Sequence, residues 1–156
     1  MSTVTIDAVI AKQAELAQMI ETLQNAASFS YGIPAAAINL APGERYAGLV
    51  LSTDGEPAHH LILLPGEAEE VTWEQAKEWA TKQSGDLPTR QEQALLYANL
   101  KSQFKPQWYW SGQAHETESA WAWCQYFYYG YQYDDYQSLE LRARAVRRLP
   151  IQSLVI

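Results

Sequence analysis

The sequence of 156 residues contains one cysteine, Cys124. A lone thiol excludes an intramolecular disulfide and any metal site made of cysteine alone. Glycine and proline are sparse, at 8 and 7 positions, which excludes collagen-like and low-complexity chains. The longest uninterrupted aliphatic run, Leu61 to Leu64, is far below the roughly 20 apolar residues that cross a bilayer. The opening MSTVTIDAVIAK has no basic region followed by an apolar stretch, so neither a secretion signal nor membrane insertion is expected. Positive charge is scarce as well: 11 Lys and Arg stand against 18 Asp and Glu, a formal net charge of −7. Four of those cations, Arg142, Arg144, Arg147 and Arg148, crowd into the terminal RARAVRR. Phosphate neutralisation needs a broad positive surface, so no nucleic-acid partner is expected. The four arginines are expected to pair with local carboxylates on a strand.

What is present is a globular composition, 47% hydrophobic and 19% charged, at a length that suits one domain with an added arm. Residues 1–27 read as that arm. Ile6, Val9, Gln13, Leu16, Ile20, Leu23 and Ala27 alternate spacings of three and four, the heptad pattern of a coiled coil. Ser2, Thr3, Thr5 or Asp7 can cap the helix. The rest of the arm is mostly Ala, Gln, Glu and Thr, so its apolar stripe is narrow. A stripe so thin suits a helical partner better than a globular core, and self-association through Ile6, Val9, Gln13, Leu16, Ile20 and Leu23 is expected over a helix folded back on its own domain. Ile and Leu in the two seam positions fit a dimer on simple rules, while Gln13 can tune register and number.

Residues 28–44 carry Gly32, Pro34, Pro42 and Gly43 and read as a linker. The head follows at 45–149, with 150–156 as a tail. YAGLVL (46–51) and HLILLP (60–65) flank Asp54-Gly55 and predict a β-hairpin. Thr72 caps a predicted helix through WEQAKEWATKQ with Gly85 as its stop, and Thr89 with Glu92 makes a capping box for a second, TRQEQALLYANL. From residue 106 onward the pattern is all β. Large side chains alternate on both faces of 121–129, a loop rich in Tyr, Gln, Asp and Ser follows, and a final strand is expected from about Leu139 to Arg148. The fold class is therefore α+β.

Aromatic residues are concentrated: 12 of the 19 fall between Trp108 and Tyr136. A small head cannot deeply bury both faces of such a strand without a layer on each side, so a surplus of rings is expected to meet solvent or a partner. Tyrosine and tryptophan join a flat apolar face to a hydrogen-bonding tip and lose little rotamer freedom on binding. The stretch YGYQYDDYQS resembles a paratope in composition; a tyrosine-lined core with an ordinary polar turn is the structural alternative. Recognition is assigned to Tyr128, Tyr131, Gln132, Tyr133, Asp134, Asp135 and Tyr136, with Tyr109 and Trp110 as neighbours.

The segments LPTRQEQALLY, WYWSG, AWAWCQYFYYG and RARAVRR, in that order, resemble the Lcl C-terminal-like domain family. That family is similar to the C-type lectin fold, as are the receptor-binding tropism determinants of bacteriophages diversified by retroelements. The resemblance covers about residues 45–149 and not the arm. It implies two helices on a twisted antiparallel sheet, with ligand bound on the late strands. It implies a receptor-binding or adhesin subunit of a phage tail, touching a host-surface glycan or protein, with three chains favoured over two. It also implies contacts with other tail subunits and a place in the virion after assembly in the host cytoplasm. A structural adaptor docked on another subunit is the alternative. The chain lacks the disulfides and the Trp-Asn-Asp type triplet of calcium-dependent lectins, so no calcium is assigned. The formylglycine-generating enzymes share the broader fold but use several cysteines.

Other chemistry is thin. His59 and His60 are adjacent on a strand and point to opposite faces, which disfavours a shared metal. A cation site joining His115 to Asp134 and Asp135 lacks a recognised spacing. Glu67, Glu69, Glu70, Glu74 and Glu78 read as a solvated face near a helix start. No phosphate loop or nucleophile elbow is present, so no enzyme activity, catalytic residue, metal or cofactor is assigned.

Overall fold

The computed structural model describes residues 3–151. The chain divides into two compact units, one up to Ile33 and one from Pro34. Ser2 and positions 152–156 of the expected tail lie outside the described residues.

The described residues of the first unit hold one helix, α1 (Ile6–Ala26), capped by Thr5, whose side-chain oxygen accepts from the Ala8 N–H at 3.3 Å. No residue of α1 is buried. Ile6, Val9, Leu16, Ile20 and Leu23 are between 47% and 78% exposed, and Ile10 and Met19 on the flanks of the seam are exposed too.

The second unit runs β1 (Arg45–Leu51), β2 (Pro57–Leu63), β3 (Ala68–Val71), α2 (Trp73–Lys82), α3 (Arg90–Leu100), β4 (Trp108–Ala114), β5 (Trp121–Tyr126), β6 (Tyr131–Tyr136), β7 (Leu141–Ala143) and β8 (Val146–Pro150). It is α+β, as expected. Both helices begin with capping boxes, Thr72 with Gln75 and Thr89 with Glu92. The β1–β2 hairpin pairs antiparallel and β8 adds to β2, giving a three-stranded sheet. The second sheet has five strands in the order β3-β7-β4-β5-β6, mixed because β4 and β7 run parallel.

The expected single last strand is therefore two. Leu141–Ala143 joins one sheet and Val146–Pro150 the other, so the chain changes sheets at Arg144 and Ala145. Strand β3 was not expected, because its AEEV has too few apolar residues for a periodic signal. Gly85 lets this junction close: a Cβ there would lie 2.6 Å from both Leu64 Cδ1 and Val146 O, where Asp86 and Val146 exchange backbone bonds of 2.9 and 2.8 Å.

The five-stranded sheet separates two cores. On one side Trp110, Ala122 and Cys124 pack with Trp73, Ala76 and Ala80 of α2. On the other, Tyr109 and Phe127 pack with Leu96 of α3 and with Ala47, Val50, Leu61 and Leu63 of the smaller sheet. Three of the four late arginines meet carboxylates: Arg142 with Glu67 and Glu69, Arg147 with Glu44, Arg148 with Glu92 and Asp86. Glu67 and Glu69 are thus ion-pair partners rather than members of a merely solvated face. Arg144 instead donates to the carbonyls of Gln103 and Leu64 at 2.6 and 2.9 Å. Arg147 also donates to Asn39 O, so the later part of the expected linker 28–44 belongs to the head.

Candidate functional site

Strands β5 and β6 form an antiparallel ribbon ending the larger sheet, in register from Trp121↔Tyr136 to Tyr126↔Tyr131. The turn between them, Phe127 to Gly130, closes with the Gly130 N–H on Tyr126 O at 2.7 Å. Gly130 has φ +81°, and a Cβ there would come within 2.7 Å of Tyr97. The expected loop YGYQYDDYQS is therefore largely an edge strand. Successive side chains on a strand alternate, so the residues assigned to one site fall on two faces.

The first face carries Tyr126 from β5, Tyr131, Tyr133 and Asp135 from β6, and Trp108 from β4, which pairs with Tyr126. Its rings form a connected platform. Trp108 stacks on Tyr126 with centroids 5.0 Å apart and meets Tyr133 edge-on at 6.4 Å. Tyr126 contacts Tyr128 and Tyr129, those two meet at 4.4 Å, and Tyr129 reaches Tyr131 at 5.6 Å. Tyr128, Tyr129, Tyr131 and Tyr133 are 49–62% exposed. Among the described residues none of the five tyrosine hydroxyls makes a hydrogen bond. Beside Trp108 lies a cleft of about 250 Å³ lined by Glu69, Glu70, Gln107, Glu140 and Arg142. The surface thus offers flat apolar area, free hydroxyls and an adjoining polar cleft.

The opposite face carries Trp121, Trp123, Gln125, Gln132, Asp134 and Tyr136. Here the polar groups are tied together. The Arg90 guanidinium lies 3.5 Å over the Trp123 ring and donates from Nε to Gln132 Oε1 at 3.0 Å. Gln132 Nε2 in turn donates to Arg90 O at 2.6 Å and to Gln125 Oε1 at 2.9 Å. His115 stacks on Trp123 at 5.8 Å. Its Nδ1 accepts backbone N–H bonds from Thr117 and Glu118, which puts the ring proton on Nε2, 3.3 Å from Asp134 Oδ2. Neither nitrogen is left to act as a base on a substrate.

Two residues leave the candidate set. Tyr109 and Trp110 are 1% and 0% exposed, because β4 is the middle strand and has a layer on each side. The Trp110 indole donates to Val71 O at 2.9 Å. The Tyr109 hydroxyl donates to Glu67 and accepts from Lys105 N–H; burial, and then Glu67, push its pKa above the usual phenol value. Tyr136, 52% exposed, stands on the opposite face from Tyr131 and Tyr133. Asp134 and Asp135 are likewise separated, so of these two aspartates only Asp134 meets His115, whose Nε2 also lies 3.9 Å from Glu116 Oε2. Gln132 is bonded internally. Trp108, Tyr126 and Tyr129 complete the platform and were not assigned; the cross-strand register that joins them is absent from the pattern of any one strand.

His59 and His60 separate as expected, His59 Nε2 to Glu92 at 2.8 Å and His60 Nδ1 to the Tyr46 hydroxyl at 2.8 Å. Among the described residues no three His, Cys, Asp or Glu side chains are grouped to hold a metal ion, and no helix is long and apolar enough to cross a membrane. Burial, and then the charges of Asp135 and Asp134, push the Cys124 thiol up to about 12, far from the range of a reactive thiolate. No protein-family model matches the chain, and neither does any curated protein.

Proposed function

We propose that this protein is a recognition subunit whose tyrosine platform binds a host-surface glycan or protein. The observation that carries the reading is the connected set of half-exposed rings with unbonded hydroxyls on an edge ribbon. Sugar rings present C–H faces that stack on tyrosine and tryptophan, and their hydroxyls can bond to phenols and to Asp135. The architecture is read as a C-type-lectin-like head of the Lcl C-terminal-like kind, and the setting as a bacteriophage tail. Three α1 helices would join through Ile6, Val9, Gln13, Leu16, Ile20 and Leu23, so that weak contacts at several heads add through effective concentration. Exposure of every one of those seam residues supports an intermolecular partner for α1.

The test is attachment of the purified protein to host cells and to a glycan array. Replacing Tyr129, Tyr131 and Tyr133 together by alanine is expected to abolish attachment with the fold intact. Unchanged attachment by that variant overturns the site. Attachment by neither variant nor parent, with capture of another tail subunit through the same tyrosines, marks the face as an assembly adaptor.

A further inference from the structure

The face opposite the platform holds a groove of about 750 Å³ lined by Thr89, Arg90, Gln91, Gln113, Gln125 and Gln132 among others. Its polar groups are unequally used. Arg90 Nε is bonded, but Nη1 and Nη2 make no hydrogen bond among the described residues, and the nearest acid, Glu116 Oε1, is 4.0 Å from Nη1. Gln113 accepts the Arg90 N–H through Oε1 at 2.7 Å, and its Nε2 donates to no described residue. The Thr89 hydroxyl accepts from Glu92 N–H at 3.1 Å and donates to no described residue. The one unbonded side-chain acceptor among these lining residues is Gln91 Oε1, whose amide nitrogen donates to Leu51 O. Open donors therefore outnumber open acceptors, and a ligand that satisfies them must bring acceptors.

Geometry narrows the ligand further. The guanidinium is held over Trp123, with Cζ 3.5 Å from the ring centroid, and anchored at Nε, so little side-chain freedom remains to be lost on binding. Its two amino groups form a fork that matches a planar carboxylate. A chain at −7, with Glu116 beside the fork, repels a dianion more than a monoanion. From these features we infer that the groove is a second ligand site, separate from the tyrosine platform, which takes a carboxylate on the Arg90 fork. The carboxylate can be borne by a sugar acid or by a peptide-like acid. Gln113 and Gln91 stand where hydroxyl or amide groups of the ligand's body would reach.

Titration calorimetry of the full chain with glucuronate, glucose, N-acetylglycine and inorganic phosphate tests this, with the Trp123 indole N–H resonance as a local reporter. Glucuronate is expected to bind and to shift that resonance, with no response to glucose at the same concentration. Arg90→Gln, shown to keep its thermal midpoint, is expected to weaken glucuronate at least tenfold. Arg90→Lys, which keeps the charge without the fork, is expected to weaken it severalfold. The triple alanine variant at Tyr129, Tyr131 and Tyr133 should bind glucuronate as the parent does, which separates this site from the platform. Equal affinity for N-acetylglycine shows that the carboxylate alone is read; weaker affinity shows that sugar hydroxyls contribute. Binding unchanged in both Arg90 variants, equal binding of glucose, tighter binding of phosphate, or no glucuronate response overturns the assignment.

Discussion

On one face of the β5–β6 ribbon, Tyr131 and Tyr133 stand 62% and 56% exposed, touching other rings and bonding to no described residue through their hydroxyls. One residue along, on the other face, Gln132 makes three hydrogen bonds and Asp134 faces His115. The same six-residue strand thus presents a face with almost no internal obligations and a face that is fastened to α3 and to the end of β4. Substitution should separate them. A side chain that holds nothing inside the molecule can be removed without unfolding it, whereas one that joins elements cannot.

The largest effect is expected where the fastened face is itself anchored. Glu92 is fully buried and accepts from Arg148 at 2.7 and 2.8 Å, from His59 at 2.8 Å and from the Thr89 N–H at 2.8 Å. It fixes the start of α3, where Arg90 sits. Glu92→Gln removes the buried one of the two charges that compensate Arg148, leaving the exposed Asp86, and is expected to cost about 3 kcal/mol in denaturant unfolding. Burial raises the Glu92 pKa, but Arg148, the Thr89 backbone and His59 outweigh it and hold it below the ordinary 4.5. A depressed native pKa contributes stability that is complete above the unfolded value and is lost as pH falls through the native one. The parent should therefore lose stability below about pH 4.5 more steeply than Glu92→Gln. Parallel pH curves would show that the carboxylate is not the anchor.

Next in size is Trp123→Ala. This ring supports Arg90 on one contact and His115 on another, and its indole donates to Glu116 at 3.2 Å. Losing it is expected to cost about 2 kcal/mol. Tyr131→Ala and Tyr133→Ala, which also remove an aromatic ring but on the free face, should each change stability by less than about 0.5 kcal/mol. Equal costs on both faces, measured in the same urea series, would dissolve the contrast.

That contrast was only half legible beforehand. The Thr72 cap of α2, the Thr89–Glu92 capping box of α3, the first hairpin and the helix α1 are legible because each is signalled within a few residues of chain. The abundance of rings was legible too, and with it the need for some to be displayed. Which rings are displayed depends on strand order, a property no local pattern holds. Trp110 and Tyr133 are both assigned to recognition from sequence, yet one lies in a middle strand under α2 and the other on the edge. Turn-rich composition also disguised β6: Tyr, Gln and Asp read as loop chemistry, but six cross-strand pairs with β5 hold it extended. Arg90 was passed over for a similar reason, since a helix-start arginine gains meaning only when Trp123 and Gln132 arrive beneath it from more than 30 positions away.

The smallest expected effect lies under the free face and sharpens the comparison most cleanly. Cys124 is 2% exposed, pairs across from Tyr133 and directs its thiol to Tyr133 O at 3.3 Å. With its pKa pushed up to about 12, almost none is thiolate at pH 8, and the thiolate is the reacting form. A thiol reagent should therefore label the native protein only as fast as the ribbon opens. If the platform rings hold no structure together, the Tyr129, Tyr131 and Tyr133 triple alanine variant should label at the parent's rate. Trp123→Ala, which loosens the fastened face, should label faster. Faster labelling in the tyrosine variant instead would mean that the rings seal the sheet beneath them, and the exposed face would then be a lid as well as a surface.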